Sequence, residues 1–258
     1  MSALADELTG IDLGDQRRDR RAEQLLEALG EKPTVSIPAA CGGWDETKAA
    51  YRLFDHPAVT AERVLAPHSA CTVERLREHP RVLCVQDTTE LDYTSKKEIA
   101  GLGPLNYETR RGMYLHPTLA LTPERVPLGL LDLDSWAREP GSLGQEKDPG
   151  RALEEKESVR WVDGFAHVNE LAEQLTDTRL TYIADREGDI YDLFVEAPCP
   201  ERGADWSAFS TKSVSSPTGA SCAPSSMPLP CSPRLPSTNP PPMAGRHAPS
   251  ISRSRRCA

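Results

Sequence analysis

Apolar side chains recur at helical spacing through the first third of the chain. Ala22, Leu25, Leu26 and Leu29 fall on one face, and Gly30 with Pro33 closes that run. Trp44, Thr47, Ala50, Tyr51 and Phe54 repeat the spacing, which assigns Trp44 and Tyr51 to the core side of a second helix. Asp45 and Glu46 suit its first turn, and Pro57 stops it. Thr60 caps a third helix with Val64, Leu65, His68, Thr72 and Leu76 on one side and a kink expected at Pro67.

The pattern then changes. Residues 82–85 are a short continuous apolar run, as expected for a buried strand. Residues 113–121 and 126–133 read as two strands, joined through Thr122, Pro123, Glu124 and Arg125 into a hairpin. Trp161, Phe165, Val168, Ala172 and Leu175 form the apolar stripe of a long helix. Residues 180–184 give a short strand, and residues 189–196 a helix with Ile190, Leu193 and Phe194 inward.

Composition divides the chain at one point. Up to Trp206 it reads as globular sequence; the 52 residues from Ser207 hold 13 Ser, 10 Pro and no Asp or Glu. Such a segment cannot bury enough surface to offset its ordering entropy. It is either a disordered basic tail or sequence translated out of frame. Net charge is −9 overall and −15 without that tail, so any nucleic-acid contact must come from local basic patches rather than a global field. No apolar run is long enough to cross a bilayer and no signal segment opens the chain, so the expectation is a soluble cytoplasmic protein without membrane partners. Seven cysteines without a C-x-x-C pair argue against a disulfide framework or a zinc site.

Three segments result: helical 1–78, mixed 79–206 and the tail 207–258. In the middle one the order is three strands, long helix, strand, helix. That is the first two thirds of a ribonuclease-H-like fold, in which the first three strands are antiparallel and the fourth runs parallel to the first. The fold class is therefore mixed α+β/α/β, with an incomplete ribonuclease-H-like domain behind a small helical domain.

Asp87 and Asp185 each follow a strand. On neighbouring parallel strands they would emerge at one sheet edge, where an oxygen-only pair suits Mg²⁺ or Mn²⁺. With a third carboxylate, such a pair holds two metals at a phosphodiester. Taken singly, each aspartate equally suits a cap or an Asx turn.

VQDTTELDY at 85–93 and ADREGDIYDLF at 184–194 resemble the first and second aspartate motifs of DDE transposases from cut-and-paste insertion sequences. LGDQRRDRR at 13–21, AACGGWDETKAAYRLFDHP at 39–57, MYLHPTLALT at 113–122 and EKES before Trp161 stand in family order. The resemblance covers roughly residues 5–206. It implies a ribonuclease-H-like catalytic domain behind a domain that recognises transposon ends, with Asp87 and Asp185 as catalytic metal ligands for a pair of Mg²⁺ or Mn²⁺ ions. It implies double-stranded DNA as partner, a nucleoid-associated location, and dimerisation on DNA through a C-terminal region. The chain departs from the family in its third ligand, a glutamate on a late helix: no Glu follows Trp206. The last core strand and the dimerisation region are expected to be missing too. The expected function is that of a transposase defective in catalysis; the alternative is a non-catalytic end-binding protein that inhibits an intact copy.

For DNA contacts, Arg17, Arg18, Arg20 and Arg21 form a compact basic cluster on more than one helical face. Local pairing with Asp15, Asp19 and Glu23 is the bland reading; the resemblance makes the cluster part of the end-binding surface. Lys48 and Arg52, four apart, are secondary candidates, as are Arg110 and Arg111. His116 on the hairpin reads as structural, and Arg186 is positioned to steady Asp185 or a phosphate.

Overall fold

The structure, a computed structural model, describes residues 4–95, 99–143, 156–188, 190, 193 and 204–208. The tail from 209 onward, and the 189–196 helix apart from Ile190 and Leu193, lie outside them.

A 3-10 turn at Ala5–Leu8 precedes α1 (Gln16–Glu31), α2 (Ile37–Ala40), α3 (Trp44–Phe54) and α4 (Ala61–Leu76). Local chemistry sets their starts. The Asp15 side chain accepts the Arg17 N–H at 2.8 Å, and Thr60 Oγ1 accepts the Arg63 N–H at 3.3 Å. Pro67 sits inside α4 without ending it. The first three helices close a small core of Leu8, Ile11, Leu13, Ala22, Leu25, Cys41, Ala50 and Leu53, with Val59 packed at its edge.

Within that core, α3 is turned differently from its apolar spacing. Thr47, Ala50 and Leu53 face inward, while Trp44, Tyr51 and Phe54 are 74%, 48% and 49% exposed. The small side of α3 meets the small side of α1, where Ala22 is buried, and bulky rings would hold the two helices apart. The assignment of Trp44 and Tyr51 to the core is corrected accordingly. Helix α4 packs both ways: its Leu76 and Val73 belong to the core of the sheet, while His68 and Arg75 pair with Glu7 of the 3-10 turn.

The sheet is built from β1 (Arg81–Gln86), β2 (Thr89–Asp92), β3 (Gly103–Pro104), β4 (Arg111–Leu121), β5 (Pro127–Trp136), β6 (Arg179–Ala184) and β7 (Asp205–Ala208). The order across its body is β5-β4-β1-β6-β7. β4 is antiparallel to both β5 and β1; β6 runs parallel to β1, and β7 parallel to β6. β7 is an addition to the expected elements: a second parallel strand lies beyond β6, and the expectation that the last strand of the sheet is missing is corrected. β7 pairs Thr181–Ala184 with Asp205–Ala208 across the compositional break after Trp206, because backbone pairing needs no apolar pattern.

Helix α5 (Val159–Gln174) covers one face of this sheet. Trp161, Phe165, Val168, Leu171 and Leu175 pack with Val82, Cys84, Ala120, Leu180, Tyr182 and Ala184, and α4 adds Leu76. Burial alternates along β1, β4 and β6, so Leu83, Val85, Met113, Leu115, Leu119, Leu121 and Ile183 point to the opposite face, where they are only half-buried.

Candidate functional site

Asp87 and Asp185 lie at the C-terminal ends of β1 and β6. The parallel register pairs Val85 with Ile183, so two further steps along each strand bring Asp87 level with Asp185. The same alternation puts both side chains on the sheet face opposite α5. Asp87 is exposed and Asp185 half-buried. The ladder between β1 and β4 breaks here. Gln86 pairs with Thr118, and pairing resumes at Thr89 with Leu115; Pro117, which has no N–H, faces Asp87 across the gap.

Beneath Asp87, Gln86 is buried and held on every side. Its Nε2 donates to Thr118 Oγ1 at 3.1 Å, and its Oε1 accepts from the Tyr182 hydroxyl. Gly164 of α5 lies so close that a Cβ there would overlap the Gln86 carboxamide. On the other side, Thr88 Oγ1 and His116 Nδ1 are 2.8 Å apart. His116 is 2% exposed, with the Trp161 ring edge-on at 4.6 Å. Burial, followed by the charge of Arg160, holds its imidazole at about 4 against the pull of Asp134, Asp132 and Asp185. Its Nε2 has no hydrogen-bond partner among the described residues, and His116 lines a cavity of about 220 Å³ with Gln86, Asp132, Asp134, Arg160 and Asp163.

The second strand end is a tight turn. Asp185 Oδ1 accepts the Glu187 N–H at 2.7 Å, so this carboxylate forms the Asx turn considered from sequence. Arg186 is exposed. Desolvation of the Glu187 carboxyl, and then the charges of Asp185 and Asp87, raise its pKa, so all three acids share one neighbourhood. Hard oxygen donors of this kind suit Mg²⁺ or Mn²⁺. Among the described residues, however, no group of three or more His, Cys, Asp or Glu side chains is arranged to hold a metal ion. The described residues do not complete a two-metal site.

Next to this edge runs a stack that the sequence did not reveal. Arg160 lies 3.7 Å over the Trp136 ring, Trp136 stacks on Tyr114 at 5.2 Å, and Arg138 lies 4.4 Å over Tyr114. Glu157 binds Arg138 in bidentate fashion at 2.6 and 2.7 Å and accepts from Trp136 Nε1. This gives Glu157 of the EKES stretch a structural duty, and the pairing of Tyr114 with Trp136 across β4 and β5 sets the two rings together.

The basic candidates divide into engaged and exposed residues. Arg18 donates to the Leu13 carbonyl and fastens the entry of α1. Arg21 lines the groove between α1 and α3 beside Glu46 and Ala50. Arg110 binds Asp92 at 3.0 Å and Glu90 at 2.8 Å, closing the edge of the sheet. Arg111 is exposed, and its N–H donates to Thr94 Oγ1 at 2.9 Å. Arg17 and Arg20 are exposed on α1, as are Lys48 and Arg52 on α3. The last two share the outer side of α3 with Trp44 and Tyr51, and the Lys48 ammonium sits 5.9 Å from the Trp44 ring.

Residues 1–59 match the family model described as transposase DNA-binding. The match supports a DNA-binding role of the transposase kind for this chain. It ends where the helical core ends, at Val59, and so covers α1, α2 and α3 and neither α4 nor the sheet. Among the described residues no helix is long and apolar enough to cross a membrane.

Proposed function

We propose that this chain is a transposase-type protein that binds transposon ends through its helical unit and is defective in cutting DNA. The observation that carries the reading is the coincidence of the transposase DNA-binding match with a separately packed helical core whose outer side bears Lys48 and Arg52. Arg17 and Arg20 are the further phosphate contacts, with Arg18 and Arg21 holding the frame; Arg110 serves the sheet edge before it serves DNA.

The sheet is read as ribonuclease-H-like. Three antiparallel strands followed by two parallel ones, with Asp87 and Asp185 on adjoining central strand ends, support that reading. In it the two aspartates are the first two of three catalytic carboxylates, and Mg²⁺ or Mn²⁺ is the ion they would bind. A pair without its third member binds such an ion weakly and positions it poorly. The loss of acidic residues after Asp205 and the half-buried apolar sheet face support an interrupted domain, with the 207–258 tail read out of frame.

Mobility shifts of the full chain with duplexes of the element's terminal repeats, across salt, test the binding. Preference for those duplexes over unrelated ones is expected, with affinity falling as salt rises. No shift at low salt would overturn the reading. Supercoiled DNA incubated with the chain and Mn²⁺ should stay intact; nicking that Asp87→Ala abolishes would overturn the defect. Reading the gene in its other two frames beyond codon 206 should recover a globular continuation with a glutamate-bearing helix.

A further inference from the structure

Helix α3 carries more than two cations on its outer side. At the 100° per residue of an α-helix, Tyr51, Trp44, Lys48 and Arg52 fall within an arc of about 100°, and all four are exposed. Trp44, 74% exposed, and Tyr51, 48% exposed, put two large aromatic rings on one side of the helix, and grouped exposed apolar surface marks interaction sites. The approach is also defined. One helical turn, α2, leads through a three-residue turn with Gly42 at φ +68° into α3, and Trp44 is the first residue of α3. In helix-turn-helix order, the second helix enters the major groove and its N-terminal residues meet base edges.

Charge decides what Trp44 can meet. Asp45 and Glu46 occupy the first turn of α3, so phosphate is repelled from the end where an anion would otherwise settle. The cations Lys48 and Arg52 stand one and two turns further along. Acidic residues outnumber basic ones within residues 1–59, so a purely electrostatic grip is weak, and apolar contact must supply part of the affinity.

We infer that α3 reads duplex DNA through its exposed aromatic edge: Trp44 packs against thymine methyl groups in the major groove, Tyr51 supports it from the next turns, and Lys48 and Arg52 take the flanking phosphates. The inference rests on the DNA-binding reading above and adds Trp44 as its specificity-determining residue. Thymine methyls are the apolar feature that the major groove offers to such a ring.

The test uses the full chain and duplexes selected from a randomised 20-base-pair pool. Trp44→Ala should weaken binding to the selected duplex roughly 5- to 100-fold, with binding to a homopolymeric dG·dC duplex unchanged. Trp44→Phe should recover part of the loss. Lys48→Ala should weaken both duplexes and reduce the salt slope by about 0.9. Replacing thymine by uracil in the selected duplex should cost the unsubstituted chain a similar factor and cost Trp44→Ala nothing further. Equal binding by Trp44→Ala and the unsubstituted chain, or a uracil effect that persists without Trp44, would overturn the inference while leaving DNA binding intact. An altered oligomeric state of Trp44→Ala with unchanged DNA affinity would assign the face to a protein contact and overturn it too. Failure of the unsubstituted chain to bind any duplex would overturn the DNA-binding reading and this inference with it.

Discussion

The helical unit and the sheet place their functional side chains by opposite means. In the sheet, Asp87 and Asp185 owe their proximity to register: once Val85 pairs with Ile183, the two carboxylates must emerge side by side. In the helical unit, Trp44, Lys48 and Arg52 owe their position to which side of α3 packs inward, a choice made by the neighbouring helix α1. Backbone pairing fixes a site more tightly than packing does. The helix face is open to selection by a partner, whereas the strand ends are committed to one arrangement whether or not chemistry is completed there.

Substitutions that attack the two regions separately should bring this contrast out. The largest effect is expected in the sheet core. Phe165, 1% exposed and edge-on to Tyr182 at 5.4 Å, ties α5 to the strands, and Phe165→Ala should cost about 3–5 kcal/mol in denaturant unfolding. Trp44→Ala, on the exposed side of α3, should stay within about 0.5 kcal/mol of the parent in the same measurement.

The next effect comes from pH. An unfolded histidine titrates near 6.5, whereas buried His116 does so at about 4. Between these values the unfolded chain takes up a proton that the folded one refuses. Stability is therefore insensitive to this group above pH 6.5, falls as pH drops toward 4, and levels off below, with a total change of roughly 3 kcal/mol. Urea midpoints across that window should show the slope, and His116→Asn should flatten it.

Smaller still, Gly164→Ala forces α5 away from Gln86 and should cost about 1–3 kcal/mol. It should leave the DNA affinity of the helical unit unchanged in a mobility shift. Least of all, Arg110→Ala removes pairs with Asp92 and Glu90 that are partly open to water, and should alter neither the salt slope of binding nor, by more than a slight amount, the melting temperature.

Much of the sheet was legible because its strands carry their own pattern. The run at 82–85, the hairpin through 122–125 and the stripe from Trp161 to Leu175 all mark elements that the fold contains. The two aspartates could be placed beside one another because each ends such a strand. What escaped has a physical reason in each case. β2 and β3 are short and follow a ladder break set by Pro117, a partner distant in sequence. β7 is only four residues long and straddles the break in composition, held by its backbone pairing and the Arg179–Asp205 ion pair. In α3 the buried arc is centred on Thr47, Ala50 and Leu53, which leaves Trp44 and Tyr51 at its margin. Hydrophobicity alone would centre the arc on the rings, whereas close approach to Ala22 and Leu25 centres it on the small residues, and that neighbour is invisible along the sequence. Arg110 reads from sequence as a secondary DNA candidate because Asp92 and Glu90 reach it only through the β2–β4 pairing.

The central claim is that DNA is held by the outer side of the helical unit and not by the carboxylate edge of the sheet. It is tested most directly by the salt dependence of duplex affinity for the full chain, the Lys48→Ala/Arg52→Ala double variant and Asp87→Ala. Loss of two phosphate contacts should shallow the log–log slope of the double variant by about 1.8, with Asp87→Ala retaining the parental slope. A double variant with the parental slope, or an Asp87→Ala chain that no longer binds, would contradict the account.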